Sequence, residues 1–143
     1  MRTISICISL ALFLTAATAF GAQPNMQAGM WEITIKMDME RAPFPMPPMT
    51  VKQCVTKDDL KDGRKTLPSS SNKKDDCEVT DYKAAGNKVS WKMLCKNGGS
   101  GTGEMVYQGT SYNGTMTMTQ KDKKGGTAKI VQHYKGKRTG ECK

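Results

Sequence analysis

Trp31-Glu-Ile-Thr-Ile-Lys-Met-Asp-Met-Glu40 alternates without a break. Trp31, Ile33, Ile35, Met37 and Met39 fall on one side; Glu32, Thr34, Lys36, Asp38 and Glu40 fall on the other. Successive side chains of a strand point to opposite faces, so this pattern marks a strand with one face buried and one wet. Downstream, Ala42 to Met49 holds four prolines in eight residues. Proline supplies no ladder donor, so the stretch reads as an extended connection. Thr50 to Thr56 resumes as a strand. Thr56-Lys-Asp-Asp59 then reads as a helix start, with Thr56 as cap and acids in the first turn. Leu60 is the one apolar anchor recognised there, so the helix should be short, and Gly63 to Asp76 reads as a polar loop.

The rest is a succession of strands and turns. Strands are expected over Cys77–Ala84, Lys88–Lys96, Thr102–Gln108, Tyr112–Lys121 and Thr127–Arg138. Glycine-bearing turns separate them: Gly86-Asn87, Asn97 to Gly101, Gly109-Thr-Ser111 and Asp122 to Gly126. In Lys88–Lys96, Val89, Trp91, Met93 and Cys95 share a face. The expected fold is therefore all-β: an antiparallel meander of about seven strands forming a small barrel or strongly curved sheet, with one short helix.

Upstream, Arg2, the apolar run Ile4–Leu14 and the small residues Ala16 to Ala22 have the three-part layout of a secretory signal peptide. The apolar run is shorter than the roughly 20 residues a spanning helix needs. Cys7 lies inside that run rather than after a cleavage motif, which speaks against a lipoprotein anchor. The expected organisation is a signal peptide over 1–22 and a single domain over 23–143, working in the periplasm or outside the cell.

The whole chain carries a formal charge of +9. Removing 1–22 takes away Arg2 and no acid, leaving 21 basic against 13 acidic residues, or +8. Four cysteines remain: Cys54, Cys77, Cys95 and Cys142. An even number in a short exported chain reads as a disulfide framework. Intervals of 22, 17 and 46 residues contain no close chelating pair, which disfavours zinc. Of the three connectivities, Cys54–Cys77 with Cys95–Cys142 is the expected one, each bond contributing roughly 2–4 kcal/mol. With only 6% aromatic residues the core is thin, and crosslinks compensate.

The residues also resemble a family. Met26-Gln-Ala-Gly-Met-Trp-Glu-Ile-Thr34, Gln53-Cys54, Asp75-Asp-Cys77, Gly86-Asn-Lys-Val-Ser-Trp91, Gly101-Thr-Gly-Glu104, Tyr112 to Met118 and Tyr134 to Cys142 are similar to the bacterial exported proteins grouped as domain of unknown function 3617. The resemblance implies export and a compact β-fold. It brings no activity, cofactor or catalytic residue.

Ten methionines follow residue 22, and several are paired: Met37-x-Met39, Met46-x-x-Met49 and Met116-x-Met118. On a strand, positions two apart face the same way, so such pairs fill a core or line an adaptable apolar pocket. Thioethers are also soft ligands suited to Cu(I). The leading expectation is a small apolar or amphipathic ligand held against Trp31, Ile33, Ile35, Met37, Trp91, Met93, Met116 and Met118. The alternative is a Cu(I) site from Met46 and Met49 with Met37 and Met39, Met46 and Met49 being the more exposed pair. A third reading is a structural envelope or interaction protein. The positive charge favours an anionic envelope surface. Export and the lack of interleaved aromatics speak against nucleic acid. No cofactor is expected and no enzyme: the one histidine, His133, has no evident catalytic partner, the cysteines are committed, and the aspartates around 58–62 and 75–76 lack calcium-loop spacing.

Overall fold

A computed structural model describes residues 23–40, 44–68, 77–96, 98–121 and 126–143. The expected signal peptide over 1–22, Ala42-Pro43, most of the serine- and lysine-rich loop, Asn97 and the turn at 122–125 lie outside the described residues.

Seven strands form one antiparallel sheet: β1 (Gly29–Met39), β2 (Met49–Val55), β3 (Cys77–Ala85), β4 (Lys88–Cys95), β5 (Ser100–Tyr107), β6 (Ser111–Lys121) and β7 (Thr127–Gly140). Their spatial order is β2-β1-β7-β6-β5-β4-β3. The meander thus runs from β3 to β7, and the N-terminal hairpin is added beyond it, β1 against β7. Edges remain at β2 and β3, so the sheet is strongly curved and open rather than a closed barrel.

The alternation reads out as expected on β1. Trp31 and Ile33 are buried, Ile35 and Met37 half-buried, and Glu32, Lys36 and Asp38 exposed. This row and the inward rows of the other strands meet in one core built on Trp31, Val89, Trp91, Met105 and Tyr107, to which β2 adds Val55.

Glycine recurs on that inward face, each time between large side chains of the flanking strands. Gly101 lies between Met93 and Met118, and Gly103 between Trp91 and Met116. Gly114 lies between Met105 and Tyr134, and Gly136 between Tyr112 and Ile33. A methyl group on Gly103 would overlap the Trp91 ring, and one on Gly136 the Tyr112 ring. The rings therefore lie across the glycine backbone, which lets the sheet bend steeply while its concave side stays filled.

The connection from β2 to β3 must pass from one edge of the sheet to the other. It opens with a short helix, α1 (Lys57–Leu60), capped as expected by Thr56. The Asp59 amide donates to Thr56 Oγ1 at 3.1 Å, and the Thr56 amide donates back to Asp59 Oδ2 at 2.9 Å. Gly63–Thr66 forms a 3-10 turn within the stretch expected to be a polar loop. Thr66 and Leu67 are buried there, and Tyr107 hydrogen-bonds to Thr66. Tyr82, set in a bulge of β3, abuts Gly63, where a methyl group would strike its hydroxyl. Leu60 is therefore not the sole anchor: Leu67 is a second one.

The disulfide pairing corrects the expected connectivity. Cys54 joins Cys142 and Cys77 joins Cys95. Cys77 and Cys95 are direct partners in the β3–β4 register. Met30 of β1 pairs with Cys54 on one side and with Gly140 on the other, which brings Cys142 to Cys54 with Cα atoms 5.5 Å apart. The expected Cys54–Cys77 bond would have had to join the two opposite edges.

Gly103→Ala should therefore destabilise the fold by about 1–3 kcal/mol, because a rigid indole must leave its packed position. Urea unfolding followed by Trp fluorescence measures this, and an unchanged midpoint would contradict the close approach.

Candidate functional site

The curved sheet is not filled evenly. Toward β3, β4 and β5 the concave side is packed solid. Toward the other edge it opens as a cleft of about 540 Å³. Four strands wall it: Ile33, Ile35 and Met37 from β1, Met49, Val51 and Gln53 from β2, Tyr112, Met116 and Met118 from β6, and Gln132 and Tyr134 from β7. Thr66, Leu67 and Pro68 of the cross-connection close one end. Period two explains the set, because directly paired residues share a face: Ile33 with Val51 and Gly136, Ile35 with Met49 and Tyr134, and Met37 with Gln132.

The walls mix apolar side chains with polar ones, Gln53, Thr66, Gln132 and Tyr134, of which the last two form a hydrogen-bonded chain. Tyr134 donates its hydroxyl proton to Gln132 Oε1, and Gln132 Nε2 lies 3.6 Å from Met37 Sδ. Sulfur is a weak acceptor and the amide has two N–H donors, so Gln132 keeps donor capacity toward the cleft. Burial pushes the Tyr134 hydroxyl up to about 12 and does the same to Tyr107. Burial also raises Tyr112, reinforced by Tyr107 and Tyr134. These phenols are neutral donors at ordinary pH.

Five of the eight residues expected to face a ligand line this cleft: Ile33, Ile35, Met37, Met116 and Met118. Trp31, Trp91 and Met93 point to the same concave side but are sealed in the core rather than set on the cleft. Trp31 is 0% exposed, stacks at 5.4 Å on Tyr112, and donates its indole N–H to Gln27 O at 3.0 Å. Trp91 is 2% exposed, lying over Gly103. Sequence reasoning missed Val51, Gln53, Tyr112, Gln132, Tyr134 and the Thr66–Pro68 segment as lining residues. The shared parity of Gln132 and Tyr134 on β7 was the signal that could have found those two.

The four methionines considered for copper divide. Met37, Met39 and Met46 border a second hollow of about 110 Å³ together with Phe44 and Pro45, whereas Met49 belongs to the large cleft. Met46, expected to be exposed, is half-buried. His133 lies on the opposite, convex side, its Nε2 3.1 Å from Asp38 Oδ2. Among the described residues, no three His, Cys, Asp or Glu side chains gather as a metal site.

The protein-of-unknown-function family DUF3617 matches residues 26–142, which takes in every strand and the whole cleft. The chain belongs to DUF3617. No curated protein and no solved structure matches it. The cleft and both disulfides lie within the matched span, and the disulfides are consistent with an oxidising location.

The raised phenols make stability depend on pH at the alkaline end. A folded-state value above the ordinary 10 favours the folded chain while the phenol is protonated. That contribution is complete below about pH 10 and is lost as pH rises toward about 12. Tyrosine ultraviolet absorbance should show delayed ionisation that coincides with loss of the fold. Ionisation of Tyr107, Tyr112 and Tyr134 at pH 10 in the folded chain would contradict their burial.

Proposed function

We propose that this DUF3617 chain is an exported binding protein whose cleft takes a small apolar or amphipathic molecule. The observation that carries the reading is the open concave cleft of about 540 Å³, walled by Ile, Val, Met and Tyr side chains. Small-molecule sites are typically concave, mostly apolar, roughly 300–1,000 Å³ in volume, and oriented by a few polar groups. Gln132 with Tyr134 is that polar element here. Methionine side chains adapt their shape to an occupant more readily than branched ones, so four of them suit a ligand that is apolar and variable in outline. Export is supported by the signal-like residues 1–22 and by the two disulfides.

Ile35 stands mid-cleft between Met49 and Tyr134 and is only half-buried, so a larger side chain there grows into the open space. Ile35→Trp should weaken binding of an apolar fluorescent probe such as anilinonaphthalene sulfonate by about tenfold, equivalent to about 1.4 kcal/mol, while the chain stays folded. Equal probe binding by both proteins would remove the cleft from the reading. Mass spectrometry of lipid extracted from protein purified from its native envelope would then identify the natural occupant.

A second reading rests on a separate observation, the meeting of Met37, Met39 and Met46 at one hollow. Three thioethers suit a soft monovalent ion such as Cu(I). Replacing all three by leucine keeps volume and removes sulfur. Calorimetric titration with Ag(I), a redox-stable stand-in, should show one site in the native chain and in Met49→Leu, and none in the triple variant. Equal uptake by the triple variant sinks this reading.

A further inference from the structure

Among the described residues five large hydrophobic side chains are exposed: Met39, Phe44, Met49, Val51 and Leu94. Four of the five belong to β1, β2 and the proline-rich segment between them. They are also contiguous. Met49 and Val51 form one lip of the cleft, and Met39 and Phe44 border the adjoining hollow, with Met37 shared by both. Phe44 is 79% exposed although it is the most apolar group in its segment. Isolated exposed hydrophobics need no explanation, but a cluster around the mouth of a cavity marks a contact surface.

The charges around this rim are mixed: exposed Asp38 and Glu40 flank Met39, and Lys36 is ion-paired to Asp38 at 3.4 Å. Lys129 pairs beside the Met39 end of β1, where its carbonyl accepts from the Glu40 amide, and Lys121 ends β6 at the same pole. Lys52 is exposed on the outward side of β2, and Lys135 and Lys137 lie farther along β7, opposite Thr34 and Glu32 of β1. The residues after 22 carry +8 in all. An exposed apolar rim with Lys121 and Lys129 at the same pole, on a chain of net positive charge, matches the interface of an anionic bilayer, where the rings and thioethers enter the headgroup boundary and the ammonium groups meet phosphate.

We propose that the mouth of the cleft docks on an anionic lipid surface, seating Phe44, Met39, Met49 and Val51 in the headgroup layer. The docking stands on the exposed apolar rim and on the net positive charge of the residues after 22. Only its consequence, that the cleft loads from the bilayer, rests on the ligand-binding reading above. An apolar molecule would then pass from lipid to protein without crossing water.

Co-sedimentation of the purified mature chain with phosphatidylglycerol vesicles, and with phosphatidylcholine vesicles as the neutral comparison, tests this. The native chain should pellet with the anionic vesicles and much less with the neutral ones. Phe44→Ser should lower partitioning about tenfold. Because Phe44 is exposed, the variant should keep the native melting temperature. Both native tryptophans are buried, so Phe44→Trp adds a reporter whose emission should shift to the blue on anionic vesicles alone. Unchanged partitioning of Phe44→Ser, an unshifted reporter, no pelleting, or a solution dimer that hides the reporter would each overturn the proposal. Ile35→Trp separates the two readings. If it docks but no longer takes the probe, both stand. If the native chain takes the probe but does not dock, docking alone falls. If the native chain docks but takes no probe, ligand binding falls.

Discussion

The structure depends on glycine at inward-facing positions of its central strands. Gly101, Gly103, Gly114 and Gly136 each stand where the sheet would otherwise place a side chain, and each lies between two large inward side chains. Without a Cβ, the backbone admits an indole or phenol ring edge at contact distance, as Trp91 does over Gly103 and Tyr112 over Gly136. Glycine in a strand ordinarily weakens it by widening the unfolded ensemble. Here that cost is offset by burying large rings that a flatter, Cβ-bearing face could not accommodate. Curvature, core and cleft all follow from this spacing. The sheet bends around the glycines, the rings fill the concavity on one side, and the remaining concavity is left open.

Why it stays open on one side is a matter of reach. The chain leaves β2 at one edge and enters β3 at the other, and the described part of the connection lies on the concave face. It sits against Tyr82 and Tyr107 through Gly63 and Thr66, with Leu67 buried in the core. It covers the core end of the sheet and touches the cleft only through Thr66, Leu67 and Pro68. Beyond that line Ile35, Met37, Met118 and Gln132 face outward from the concave wall with no described element laid over them. The Cys54–Cys142 bond sits at the opposite, covered end of β1, where it ties β2 to the C-terminal segment after β7. The crosslink fixes the strands that wall the cleft without narrowing its mouth.

Period two made the strands legible, and with them the inward parity of Trp31, Ile33, Ile35 and Met37. Parity gives a side of the sheet but no depth along it. Trp31 and Ile35 alternate on one strand, yet the first is sealed under Tyr112 and the second borders open space, because only tertiary curvature decides where the wall is covered. The same limit hid the disulfide pairing. Cys54 and Cys142 are neighbours only because β1 is inserted between β2 and β7, a fact of strand order that no spacing encodes. Leu67 escaped notice for another reason: one apolar residue in a polar stretch carries no period. The glycines between strands read as turn punctuation, which is right for Gly86, with its φ of +59°, and wrong for Gly101, which lies in β5.

Gln132 is the residue on which the selectivity of the proposed site turns. An apolar wall attracts any apolar molecule in proportion to the area it covers, which gives affinity with little discrimination. A half-buried amide amid thioethers is costly unless its hydrogen bonds are made. Its carbonyl is satisfied by Tyr134, a phenol that burial keeps protonated, while its amino group has, among the described residues, the Met37 sulfur at 3.6 Å as a modest partner. The pair is thus polarised in one direction, with the acceptor side filled and the donor side under-used. An occupant bringing a carbonyl, ester or phosphoryl oxygen to that point would supply the missing acceptor, whereas a pure hydrocarbon would strand the donor. On this ground an amphipathic ligand suits the proposed site better than a wholly apolar one, because an oxygen acceptor would meet Gln132 while Ile35 and Met49 meet the apolar remainder.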